Sequence, residues 1–155
     1  MKNKKFLIIG IIVFIVGFFL YSMDDTNVVV TLGVEKDNPL LLYFQEQFPD
    51  NDVITCGYED LNGDGRKDLL LIYKEDKESN GMRIVLDTED GYKFTDHTHA
   101  PIDNQLIEFM DIDDEAPMEF SVSGSKDGKF GYAIFRLIDD YEIRNLFGEG
   151  MEDCC

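Results

Sequence analysis

Asp60-x-Asn62-x-Asp64-Gly65-x-x-Asp68 places an oxygen-bearing side chain on alternate residues and then, after a glycine, a fourth. That spacing suits a hard cation: Ca2+ takes about 6–8 oxygens, and Gly65 lets the chain turn sharply around the ion. The backbone carbonyl of Arg66 completes a candidate calcium set of Asp60, Asn62, Asp64, Arg66 and Asp68. An EF-hand needs a bidentate glutamate at its twelfth position and a helix beyond it, but Leu71 stands there, inside the apolar run Leu69 to Tyr73. A strand-flanked calcium loop is expected, with an unoccupied Asx-rich turn as the alternative. The other reactive residues are the thiols Cys56, Cys154 and Cys155. The last two follow Gly148-Glu149-Gly150-Met151-Glu152-Asp153, a stretch that should be mobile and solvent-exposed. When reduced, they offer two soft ligands that select Cu(I), Hg(II) and organomercury; a strained vicinal disulfide, an intermolecular crosslink or no role are the alternatives. Cys56 is a candidate third thiol, or else a small apolar residue at a strand edge.

The acidic loop recurs. Residues 58–71 and 109–122 align at an offset of 51, which pairs Asp60 with Asp111, Asn62 with Asp113, Asp64 with Glu115 and Asp68 with Glu119. In the second copy Ala116 replaces the turn glycine and Pro117 fixes φ at the next position. Asp111, Asp113, Glu115 and Glu119 are thus expected to form a degenerate acidic turn rather than a second ion site. Asp96-His97-Thr98-His99 sets both imidazoles on one face if extended, a start on a Zn2+ or Cu2+ site, but supplies only two strong ligands. No G-x-S-x-G, H-E-x-x-H or Gly-rich phosphate loop is present, so no enzymatic activity is expected. Over Asp60 to Tyr73 the sequence resembles the calcium loops of FG-GAP repeats, as in integrin α-chain propellers, and the resemblance implies that Asp68 closes the site.

The elements that must hold these residues follow from patterning. Asn38-Pro39 opens a helix over 39–48, with Asn38 as N-cap, Pro39 at the first helical position, an apolar face of Leu40, Leu41, Phe44 and Phe48, and Pro49 as the stop. Beyond it, short apolar runs at 69–73, 82–86, 92–94, 120–122, 131–137 and 141–147 read as strands. Turns at 79–81, 89–91 and 126–128 separate them. Each repeat then consists of an acidic loop followed by three strands, like a propeller blade. The expected fold class is mainly β (α+β): two blade-like antiparallel hairpin units over residues 37–147, with the helix packed on one face.

The chain of 155 residues has 14 basic and 32 acidic side chains, a net charge of −18 that argues against a nucleic-acid partner. Three lysines lie in residues 1–5, and residues 6–23 carry no charge. Eighteen residues in a helix span roughly 27 Å, close to the hydrocarbon thickness of a bilayer. With no small-residue cleavage site around Tyr21-Ser22-Met23-Asp24, residues 1–23 read as an uncleaved transmembrane signal anchor, with a cleaved signal as the alternative. The lysines stay inside, which sends a tether at 24–36, the domain at 37–147 and a tail at 148–155 to the extracytoplasmic side of the cell membrane. This exported part carries −21 and favours cations.

An anchor, a small acidic domain and the closing pair Cys154-Cys155 together resemble the SaoC family of Cys-Cys-COOH (seleno)proteins. Some members have selenocysteine in the pair, where this sequence has cysteine at both places. The resemblance implies a place in an organomercurial-transport and mercury-resistance system. It also implies capture or relay of mercury species outside the membrane, and partners that are thiol- or selenol-bearing proteins and a membrane transporter. Hg(II) prefers two thiolates in a near-linear arrangement, which adjacent cysteines meet poorly, so the pair should exchange its ligand rapidly and suit a relay better than a store.

Overall fold

The computed structural model describes residues 32–139 and 141–146. The expected membrane anchor at 1–23 and the pair Cys154-Cys155 lie outside these residues, and among the described residues no helix is long and apolar enough to cross a membrane. The fold is mainly β, with two antiparallel sheets and one short helix.

Helix α1 spans Pro39–Gln47. The Asn38 side chain accepts hydrogen bonds from the N–H groups of Leu40 and Leu41 at 2.9 and 3.2 Å, two of the donors that a helix start leaves without partners. Phe48 falls at the C-cap, one residue short of the expected end, and the prolyl residue after it cannot continue the helix. Leu40, Leu41 and Phe44 are buried against the first sheet.

Sheet 1 contains β1 (Val53–Glu59), β2 (Asp68–Lys74), β3 (Asn80–Thr88) and β4 (Gly91–Phe94), with β5 (Thr98–Ala100) on the far half of β3. Sheet 2 contains β6 (Asp103–Met110), β7 (Glu119–Lys126), β8 (Lys129–Ile138) and β9 (Glu142–Asn145) in that order. The 51-residue offset is kept in the ladders: Glu59 pairs with Asp68 and Tyr58 with Leu69, as Met110 does with Glu119 and Phe109 with Phe120. Each repeat therefore has a strand before its acidic loop as well as three after it, which corrects the expectation of loop plus three strands.

The strands at β1, β5 and β6 were not expected, because none alternates cleanly: β1 reads VITCGYE and β6 opens on Asp-Asn-Gln. Asn80 and Gly81, expected in a turn, begin β3 instead. The turn at Asp127-Gly128 forms as expected, with both residues at positive φ, the type I′ geometry of a two-residue hairpin. Leu32 and Val34, assigned by sequence to the tether, pack with α1 and sheet 1, and Leu32 O accepts the Cys56 N–H at 2.6 Å. The folded part thus begins before residue 37.

Both faces of β2 are covered, as its near-continuous apolar run requires. Leu69, Leu71 and Tyr73 face α1, whereas Leu70 and Ile72 face sheet 2. In sheet 2 the phase reverses. Phe120 and Val122, the repeat mates of Leu69 and Leu71, are the residues that face sheet 1. Ser121 and Ser123, the mates of Leu70 and Ile72, lie on the outer face, where Leu106 and Tyr132 are 52% and 51% exposed. The two sheets are therefore stacked in the same sense, the front of one on the back of the other.

Candidate metal and thiol sites

The first loop joins β1 to β2 and is wound on its own side chains. Asp60 Oδ1 accepts from the N–H groups of Gly63 and Asp64 at 2.8 and 3.2 Å, and its Oδ2 from Gly65 at 2.8 Å. Asn62 Oδ1 accepts from Asp64 N–H at 3.0 Å, and Asp64 Oδ1 from Arg66 N–H at 2.8 Å. Gly63 and Gly65 both sit at positive φ, which lets the chain double back within five residues. Asp68, at the start of β2, is fully buried and accepts from Leu61 N–H and Asp87 N–H, both at 3.0 Å. Burial pushes its carboxyl up to about 6; the two amide bonds oppose the rise, and the charges of Asp64 and Asp60 add to it. The donor set is all hard oxygen, which suits Ca2+ and not a soft ion, and backbone N–H groups already occupy both lone pairs of Asp60 Oδ1 and one on each of the other accepting oxygens.

The second loop copies three of these bonds at the same offset. Asp111 accepts from Asp114 N–H, Asp113 from Glu115 N–H, and Glu119 from Ile112 N–H. Asp114, the mate of Gly63, has the positive φ that the turn demands. The copies part at Ala116-Pro117: Pro117 stands where Arg66 donates in the first loop, and a proline has no N–H to give. Here the carboxylates converge instead. Ligand oxygens of Asp111, Asp113 and Glu119 lie within 4.8 Å of one another, a closeness not found for Asp60, Asp64 and Asp68. The Arg136 guanidinium from β8 sits on Asp113 and on the buried Glu119, and it holds the Asp113 carboxyl below its ordinary range. A fixed cation from the chain itself thus faces the second loop. Arg136 escaped the sequence reading, although a lone arginine in Ala133-Ile134-Phe135-Arg136-Leu137 was a signal for it.

Of the cysteines, only Cys56 is among the described residues. It lies in β1, buried against α1 and β2, and burial pushes its thiol up to about 12. His97 and His99 bracket the start of β5, with ring centroids 5.1 Å apart. Glu75, one residue past the end of β2, brings Oε1 to 3.2 Å from His97 Nε2. No protein-family model, no curated protein and no solved structure matches the chain.

Proposed function

We propose that this chain is a membrane-anchored extracytoplasmic thiol protein that binds or relays mercury or organomercurial species through Cys154 and Cys155. In this reading the two sheets are FG-GAP-like blades, a scaffold that carries the pair toward thiol- or selenol-bearing partners and a transporter. The observation that carries the assignment to the pair is the burial of Cys56: a thiol held at about 12 has almost no thiolate near neutral pH, so soft-metal chemistry falls to Cys154 and Cys155. The test is mass spectrometry of the reduced full chain in detergent with Hg(II) and methylmercury, in competition with a small thiol. Cys154→Ser/Cys155→Ser should lose metal uptake and keep its circular dichroism, while Cys56→Ser keeps uptake. Equal uptake by the double variant and the parent would overturn the reading.

The winding of the first loop favours a second reading, a calcium-stabilised surface interaction module whose cysteines are incidental or crosslinking. Asp60 and Asp64 already raise the Asp68 pKa, and a divalent cation bound at the loop relieves that repulsion. In either reading Ca2+ clamps the β1–β2 hairpin. If the interaction module is right, chelating Ca2+ abolishes partner capture while removal of residues 148–155 leaves it intact.

A further inference from the structure

We infer that Glu75, His97 and His99 form a transition-metal site, separate from the acidic loops and the thiols, that takes Zn2+ or a similar borderline divalent cation.

The sheet brings three ligands together that are 24 residues apart at the extremes. His97 and His99 are two apart along an extended segment and so share a face. Glu75 continues the phase of Leu71 and Tyr73 two residues beyond Tyr73, on the α1 side of sheet 1. The ladder Tyr73, Gly81, His99 runs straight across β2, β3 and β5. Gly81 is needed in its middle, because a Cβ there would lie 2.6 Å from the Tyr73 ring.

One nitrogen or oxygen from each of Glu75, His97 and His99 lies within 4.8 Å of the other two. His97 Nε2 is shut off from solvent and has no aligned hydrogen-bond partner, although Glu75 Oε1 is only 3.2 Å away. Two ligands bound tetrahedrally to zinc at about 2.0–2.2 Å stand roughly 3.3–3.5 Å apart. A nitrogen and a carboxylate oxygen at that spacing, off each other's hydrogen-bond line, are arranged as neighbours on one ion.

The backbone behind the histidines is fixed. Thr95 is buried, its Oγ1 accepts from Ile84 N–H at 2.9 Å, and its carbonyl accepts from Arg83 Nη1 at 2.6 Å. Asp96 N–H donates to Tyr141 O at 2.9 Å. Such support lowers the cost of ordering the ligands when the ion arrives. Two imidazoles and one carboxylate suit Zn2+ far better than Ca2+, which takes only oxygen. Three protein ligands leave the fourth tetrahedral position to water.

The experiment is calorimetric titration of Zn2+ into the full chain in detergent, carrying Cys154→Ser/Cys155→Ser to remove the thiols and saturated with Ca2+ to fill the oxygen loop. One zinc per chain is expected. His97→Ala, His99→Ala and Glu75→Gln should each weaken it by at least ~10-fold, the lower end of what even an outer-shell partner contributes. These side chains are half-buried or exposed, so circular dichroism should match the parent, and the isosteric Glu75→Gln keeps the test valid if a histidine variant misfolds. Absence of zinc binding, undiminished binding in all three variants, or loss of binding only in Asp113→Asn at the second loop would each overturn the proposal.

Discussion

Asp68 is the residue on which the first loop turns, since it is bonded to the loop through Leu61 and to β3 through Asp87. Its pKa of about 6 in the folded chain, against an ordinary 3.8, means that the folded protein takes up a proton there before the unfolded chain does. In calcium-free buffer the stability that this group contributes is fully present below about 3.8 and is lost as pH rises through about 6. Urea midpoints measured with chelator should therefore rise from pH 7 toward pH 5. Added Ca2+ should flatten that slope by stabilising the charged form, and Asp68→Asn should flatten it without calcium, at a cost of roughly 1 kcal/mol for one lost amide bond. An unchanged slope in Asp68→Asn would assign the pH dependence to other groups. The residue was legible in the sequence as the last oxygen of the loop; its burial was not, because Asp87 lies 19 residues away and meets it only once β2 and β3 pair.

Strands with an apolar run were legible and strands without one were missed. β2, β3, β7 and β8 stood out through their apolar runs, and α1 through its cap and its prolines. β1 was hidden by Gly57, whose role is tertiary: a Cβ at that position would lie 2.5 Å from the Phe109 ring of β6 and 3.0 Å from Ile107. The glycine lets the first strands of the two repeats approach each other, something no local pattern encodes. Gly57→Val should cost about 1–3 kcal/mol through overpacking. Pairing it with Phe109→Leu should recover part of the loss, read as a denaturant midpoint; a double variant no better than the single would place the cost in β1 itself. Glu75 and Arg136 were missed for a related reason, since each acquires its partners from another strand across a sheet.

At the scale of the whole molecule, the offset of 51 residues was legible as a repeat of loops, while the sense in which the two sheets stack was not. β2 is apolar on both phases and β7 carries Phe120 and Val122 on one, and only the packing shows that these two meet the Leu70 and Ile72 phase of β2. Ser121 and Ser123 place hydroxyl groups on the outer face of sheet 2, beside the exposed Leu106 and Tyr132, at the positions where Leu70 and Ile72 receive a neighbour in sheet 1. Ser121→Leu/Ser123→Ile should restore that receptive surface and raise the apparent mass in sedimentation velocity. A strictly monomeric variant would show that the serines are not what limits association.

Same-sense stacking also has a bearing on how such association could proceed. A step that joins front to back can in principle be repeated without end, as in a filament. Here one terminus of that series is sealed, because α1 lies on the free back of sheet 1 and buries Leu69, Leu71 and Tyr73. An adhesive front could therefore find no bare back on another copy, and the only closure left is front to front. The helix acts as a chain terminator: it limits any self-association through this face to a twofold pair.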